Sequence, residues 1–150
     1  MNMKNIEAIC KRYGIALCYI FGSQAETGKA LIEGKTMESP APGSDIDFAV
    51  LFAKIPHNSS RIYAEVSLEF EEIVRPFRAD LLFLHEVDHL IQLEAINGIN
   101  IYAAHEEIRE EYEEKVMMFA SDELAVFKLN EKDMLEAIEH GYFEFEYKAH

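Results

Sequence analysis

Three short stretches of this 150-residue chain combine residue types whose spacing suits phosphate chemistry. Gly22-Ser23 follows the apolar run Ile15–Phe21 and stands where a helix could open. A glycine there lets the backbone approach a ligand closely, and free N–H groups with a hydroxyl can hold a phosphate. Asp45-Ile46-Asp47 opens a second apolar run. The strand period of two puts both carboxylates on one face, close enough to share a divalent cation. Asp80 opens a third run, Asp80–Leu84, and joins the pair if the strands are neighbours. Converging carboxylates beside a phosphate cradle are the parts of a two-metal phosphoryl- or nucleotidyl-transfer site. Each part also has a plainer reading as a turn, a cap or the start of a strand. The combination favours chemistry, because acids beside runs such as FAVLF and LLFL need a partner or a metal.

Strands and turns must carry these residues. Residues 3 to 13 read as an amphipathic helix with Ile6, Ile9 and Tyr13 on one face, stopped by Gly14. Ile15–Phe21 is too short and too continuously apolar for a surface helix and reads as a buried strand. Residues 24 to 31 suit a short helix, and residues 33 to 44, rich in Pro, Gly and hydroxyls, a loop carrying Lys35. Residues 46 to 52 form a second strand. Asn58 or Ser59 caps a helix to about Val74, with Ile62, Val66, Phe70 and Ile73 at helical spacing. Pro76 ends it, and Asp80–Leu84 is the third strand. A helix from about Glu86 to Asn97 stops at Gly98, and Ile99–Ala103 is extended. Two further helices are expected, residues 105 to 120 and 131 to 140, the second started by Asn130. The aromatic, acidic segment 142 to 147 follows. The order describes one α/β or α+β domain, residues 1 to 150, with a core over about 5 to 120 and a C-terminal helical and aromatic extension over 121 to 150.

Charge and composition exclude several functions. Apolar residues make up 49% of the chain, enough for a core, and no run is long enough to span a membrane. Fourteen Lys and Arg face 28 Asp and Glu, a formal net charge of −14, which argues against direct nucleic-acid binding. Residues 105 to 150 carry 14 of the acids and five bases, suiting a solvated face or a basic protein partner. Cys10 and Cys18 are too few for a disulfide framework, so a reducing, cytoplasmic setting is expected.

Other motifs in the chain have plainer readings. His85-Glu86-Val87-Asp88-His89 matches the zinc-protease pattern H-E-x-x-H. His85 falls at a strand–helix junction, however, so the two imidazoles need not share a helical face, and no third ligand follows in order. A polar first turn is the expected reading. His57, His105, His140 and His150 are scattered. Arg75 and Arg78 are expected to pair with surplus carboxylates, and Met117-Met118-Phe119 to lie in the core or in a helix–helix seam.

Tyr19-Ile-Phe-Gly-Ser-Gln-Ala25, with Gly43-Ser-Asp-Ile-Asp-Phe-Ala-Val-Leu51 and Arg78-Ala-Asp-Leu-Leu82, resembles the minimal nucleotidyltransferases. These are the small class of the polymerase-beta-like superfamily, and the likeness covers roughly residues 5 to 120. The spacer between Gly-Ser and Asp-x-Asp is longer than is usual there. The resemblance implies a small mixed sheet flanked by helices. It also implies that Gly22 and Ser23 hold the triphosphate of ATP and that Asp45 and Asp47 ligate two Mg²⁺. Asp80 would complete the metal site and help deprotonate the attacking hydroxyl. Relatives of this size commonly act as antitoxins that transfer AMP to a tyrosine of a HEPN-domain toxin, so a HEPN toxin is the expected partner. Transfer to a small molecule, as in aminoglycoside-modifying relatives, and neutralisation by contact without catalysis are the alternatives. Homo-oligomerisation is left open.

Overall fold

Ile15–Phe21 is a strand, β1, and lies in the interior of a four-stranded sheet in a computed structural model that describes residues 2–35 and 45–139. Asp45–Phe52 (β2), Arg78–Phe83 (β3) and Ile99–Ala103 (β4) complete the sheet, in the order β3-β2-β1-β4. β1 runs antiparallel to β2 and to β4, while β2 and β3 are parallel, so the sheet is mixed. The helices are α1 (Asn2–Tyr13), α2 (Ala25–Ile32), α3 (Ser59–Val74), α4 (His89–Ile96) and α5 (Glu106–Glu139).

The continuous apolar character of β1 follows from its position, because both of its faces are covered. On one face Cys18, Ile20, Ile46, Phe48 and Val50 are buried with Ile6 and Ile9 of α1, Ile32 of α2, and Val66 and Phe70 of α3. The Phe48 and Phe70 rings lie 4.5 Å apart. On the other face Leu17, Tyr19 and Ala49 pack with Ala95 of α4, and Ile108 and Tyr112 of α5 close over them. The Tyr19 hydroxyl donates to Oε2 of Glu113 at 2.7 Å, which ties α5 to the middle of the sheet. Both cysteines are free and buried.

Local signals set most boundaries. Of the two expected caps, Asn58 rather than Ser59 caps α3, its side chain accepting from the Arg61 N–H. Asp88 caps α4 in the same way through Ile91, so that helix starts at His89 rather than at Glu86, and Leu84–Glu86 forms a 3₁₀ turn before it. The larger correction concerns the C-terminal helices. Residues 106 to 139 form one helix of 34 residues, about 51 Å long, where two were expected. No Gly or Pro occurs in that stretch, and the capping signal of Asn130 costs a helix interior only about 0.5 kcal/mol. Met117 and Met118 are exposed rather than in the core, whereas Phe119 stacks on His89 with ring centroids 5.0 Å apart, in the seam between α5 and α4. Residues 36 to 44 of the expected loop, and segment 142 to 147, lie outside the described residues. Among the described residues, no helix is long and apolar enough to cross a membrane.

Gly98, between α4 and β4, packs against the end of β1. A Cβ there would lie 2.3 Å from the Ile20 carbonyl oxygen and 2.8 Å from the Phe21 Cα, both backbone atoms that cannot step aside. Gly98→Ala is therefore expected to cost about 3 kcal/mol in urea unfolding. A loss below about 1 kcal/mol would show that the turn relaxes around the methyl group.

Candidate active site

The strand register brings the expected residues to one end of the sheet. Asp47 is the cross-strand partner of Phe21, the last residue of β1, on one side and of Asp80 on the other. Asp45 is paired with Arg78 in the same parallel ladder. Cross-strand partners share a face, so Asp45, Asp47 and Asp80 point the same way, with adjacent strands about 4.8 Å apart. β3 begins at Arg78, two residues earlier than expected, which puts Asp80 inside the strand rather than at its start. Asp45 and Asp47 are half-buried, and Asp80 is exposed.

Gly22 brings the turn after β1 onto this cluster. Its φ is +79°, a conformation that favours glycine, and a Cβ on it would lie 2.5 Å from Oδ2 of Asp47. The turn closes with Ala25 N–H donating to the Gly22 carbonyl at 3.3 Å, and α2 follows directly. No side chain caps α2, so its first turn keeps N–H groups for an acceptor from elsewhere. Ser23 is exposed in that turn. On the opposite face, Gly28 of α2 allows contact with Ile46, where a Cβ would come within 2.7 Å of Cγ2. Ile46 is fully buried, which turns its two aspartate neighbours to the other side.

The cluster is electrostatically strained. Burial pushes the Asp47 carboxyl above its ordinary pKa, and the charges of Asp80, Asp45 and Glu94 raise it further. Glu94, on α4, was missed in the sequence because nothing in its spacing links it to the strand ends; only the packing of α4 on the sheet brings it near. Gly98 was legible there only as a helix stop.

The donor set is entirely carboxylate, with mutual repulsion that a cation would relieve, and so fits a hard divalent ion such as Mg²⁺. Among the described residues no three His, Cys, Asp or Glu side chains form a ready-made metal cage. Mg²⁺ does not require one, since it binds through one or two carboxylates together with substrate phosphates and water. The H-E-x-x-H imidazoles fall on different elements, and His89 Nδ1 is bonded to Oε1 of Glu123 at 2.5 Å. Arg75 pairs with Glu72 at 2.9 Å, as expected, whereas Arg78 makes no ion pair among the described residues.

Residues 4–107 match the family model of polymerase beta nucleotidyltransferases. Among solved structures, a toxin–antitoxin complex with AMP-PNP superposes with a TM-score of 0.64 at 18% identity, covering 90% of this chain and 99% of that chain. The MntA–HepT toxin–antitoxin superposes at 0.61 and 18% identity, covering 89% of this chain and 97% of the other. A tri-AMPylated Shewanella oneidensis HEPN toxin in complex with MNT antitoxin gives 0.61 and 18%, covering 89% of this chain and 96% of that chain. At these identities the likeness establishes the fold. No curated protein matches the chain.

Because the pKa of Asp47 is raised in the folded state, the folded protein holds more protons than the unfolded chain above the ordinary carboxylate range. Stability of the metal-free protein therefore falls as pH rises through that titration. Asp47→Asn is expected to remove this slope and to melt, with chelator at neutral pH, no lower than wild type. Mg²⁺ should raise the melting temperature of wild type only. A variant that melts several degrees lower would show that the carboxylate supports the fold.

Proposed function

Because the chain belongs to the polymerase beta nucleotidyltransferase family, we propose that it transfers AMP from ATP, in a Mg²⁺-dependent reaction, to a tyrosine hydroxyl of a HEPN toxin, and so acts as that toxin's antitoxin. The observation that carries this reading is the alignment of Asp47 with Asp80 across parallel strands, with Gly22 pressed against the Asp47 carboxylate. The choice of partner is supported by the fold shared with antitoxin–HEPN complexes. It is supported further by α5, whose sequence holds 12 acids against four bases and whose surface leaves Met117, Met118 and Leu129 exposed. A long acidic helix with apolar side chains on its surface suits a protein acceptor better than a small molecule.

In this mechanism Asp45, Asp47 and Asp80 hold the divalent ions, which when bound neutralise the triphosphate and the charge that develops on it. The Gly22–Ser23 turn receives the β and γ phosphates through backbone N–H groups and the Ser23 hydroxyl, aided by the positive end of α2. Their role is to fix the α-phosphate in line with the incoming oxygen. Asp80, the most exposed carboxylate, accepts the proton of the attacking hydroxyl. A bond forms between the tyrosine oxygen and the α-phosphorus, the bond from that phosphorus to the bridging oxygen breaks, and pyrophosphate leaves with the electron pair.

The test is transfer of label from ATP carrying the tracer on its α-phosphate, using purified protein, Mg²⁺ and extract of its native cells. Wild type is expected to label one protein band, and Asp45→Asn/Asp47→Asn to lose at least about 100-fold in rate with the fold intact. Label in a small soluble product would move the reading to small-molecule transfer. Tight binding of one protein without any label would make the chain a non-catalytic antitoxin.

A further inference from the structure

Arg78 opens β3 as the parallel partner of Asp45 and stands two residues before Asp80. Residues two apart on a strand share a face, so Arg78 lies on the face that carries the carboxylates. The chain has five arginines, and all of them are among the described residues. Arg12, Arg61, Arg75 and Arg109 each pair with a glutamate. Arg78 makes no ion pair among the described residues, although Asp45 is its ladder partner and Asp80 lies on its own strand. In a chain with 28 acids and 14 bases, an exposed arginine beside two aspartates that pairs with neither is an exception.

The sheet order sets what Arg78 can reach. β3 is an edge strand, so no further strand of the sheet crowds the arginine from outside. Asp47 is level with Phe21, and the antiparallel register continued for two residues brings Ser23 level with Asp45. The turn after β1, Asp45 and Arg78 therefore form one row across three adjacent strands. The ends of that row are two strand spacings apart, about 9.6 Å. One end offers the N–H groups of the turn and the Ser23 hydroxyl, the other a guanidinium, and the acids lie between them. A triphosphate with its β and γ groups in the turn extends its α group over Asp45, toward Arg78. Arginine suits that place, because it stays charged and presents several N–H donors in a planar fork that matches phosphate oxygens.

We propose that Arg78 contacts the α-phosphate of the nucleotide, donating guanidinium N–H groups to a non-bridging oxygen. The inference rests on the AMP-transfer reading above and adds to it a cation supplied by the protein itself. Arg78 opposes the charge of Asp45, Asp47 and Asp80 at the phosphate under attack, and it fixes that phosphate from the side opposite the turn.

The test is calorimetric binding, with Mg²⁺ present, of α,β-methylene ATP, which cannot be cleaved between its α and β phosphates. Inorganic pyrophosphate, which offers only the equivalent of the β and γ groups, is the second probe. Arg78→Gln is expected to weaken binding of the ATP analogue at least about tenfold and to leave pyrophosphate within about twofold of wild type. Arg78 is exposed and has no ion pair to lose, so the variant should keep the wild-type melting temperature, and weaker binding then reads as a lost contact. Unchanged affinity of Arg78→Gln for the analogue would overturn the inference and leave the AMP-transfer reading in place. Equal weakening of both probes would also overturn it, by showing a general effect of charge rather than a contact at the α group. Failure of the wild-type protein to bind the analogue would overturn the AMP-transfer reading itself, and the inference with it.

Discussion

The Asp47 carboxylate occupies space that any side chain on residue 22 would need. With Oδ2 only 2.5 Å from where a Cβ would stand and φ at +79°, glycine meets both a steric and a conformational demand at this position. That contact joins the turn after β1 to the carboxylates of β2, and so joins the proposed phosphate cradle to the proposed cation site. Two other glycines extend the same close packing. Gly28 seats α2 on Ile46 beneath the Asp-x-Asp, and Gly98 seats the turn before β4 on Ile20 and Phe21. Among the described residues the candidate site is therefore held by three close backbone approaches and by no side-chain hydrogen bond to its aspartates.

Such a cluster works against folding, because Asp47 is half-buried among Asp45, Asp80 and Glu94 and its ionised form is disfavoured. The sheet tolerates it because the strands that bear the acids are anchored along the rest of their length. Phe48, Val50, Phe70 and Phe83 are buried together on one face, and fully burying side chains of this kind stabilises by about 1.5–3 kcal/mol each. Ile46 links the two features, with the cluster on either side of it and the core beneath. Concentrating like charge at a site proposed to take a cation would be a familiar exchange of stability for function.

The long acidic helix is tied to the same framework. Glu113 accepts from Tyr19 in the sheet and from Arg109 one turn earlier, and Arg109 also pairs with Glu106. Glu123 holds His89 at the start of α4, whose other end leads to Gly98 beside the first strand. One face of α5 thus completes the fold, while Met117, Met118 and Leu129 stay exposed on it.

Local chemistry made much of this readable in advance. The spans Ile15–Phe21 and Ile99–Ala103 match their strands residue for residue, Asn58 is the one of the two expected caps, Asn58 and Ser59, that caps its helix, and the alternation of Asp45, Ile46 and Asp47 fixed two carboxylates on one face. These features depend on neighbours within a few residues, so the chain itself determines them. Pairing over longer distances decided the rest. Asp80 meets Asp47 only because β3 starts at Arg78 and lies parallel to β2, and Glu94 comes near only because α4 packs on that face. The same packing turned two histidines with a zinc-like spacing into the walls of a hollow between β2, α4 and α5. The continuity of α5 has a related cause: with no Gly or Pro between residues 106 and 139, the capping signal of Asn130 is too weak to divide the helix. Residue types and short spacings thus determined which chemistry the chain can offer, and tertiary packing decided which of those groups meet, because register and helix docking are set by the burial of residues far apart in sequence.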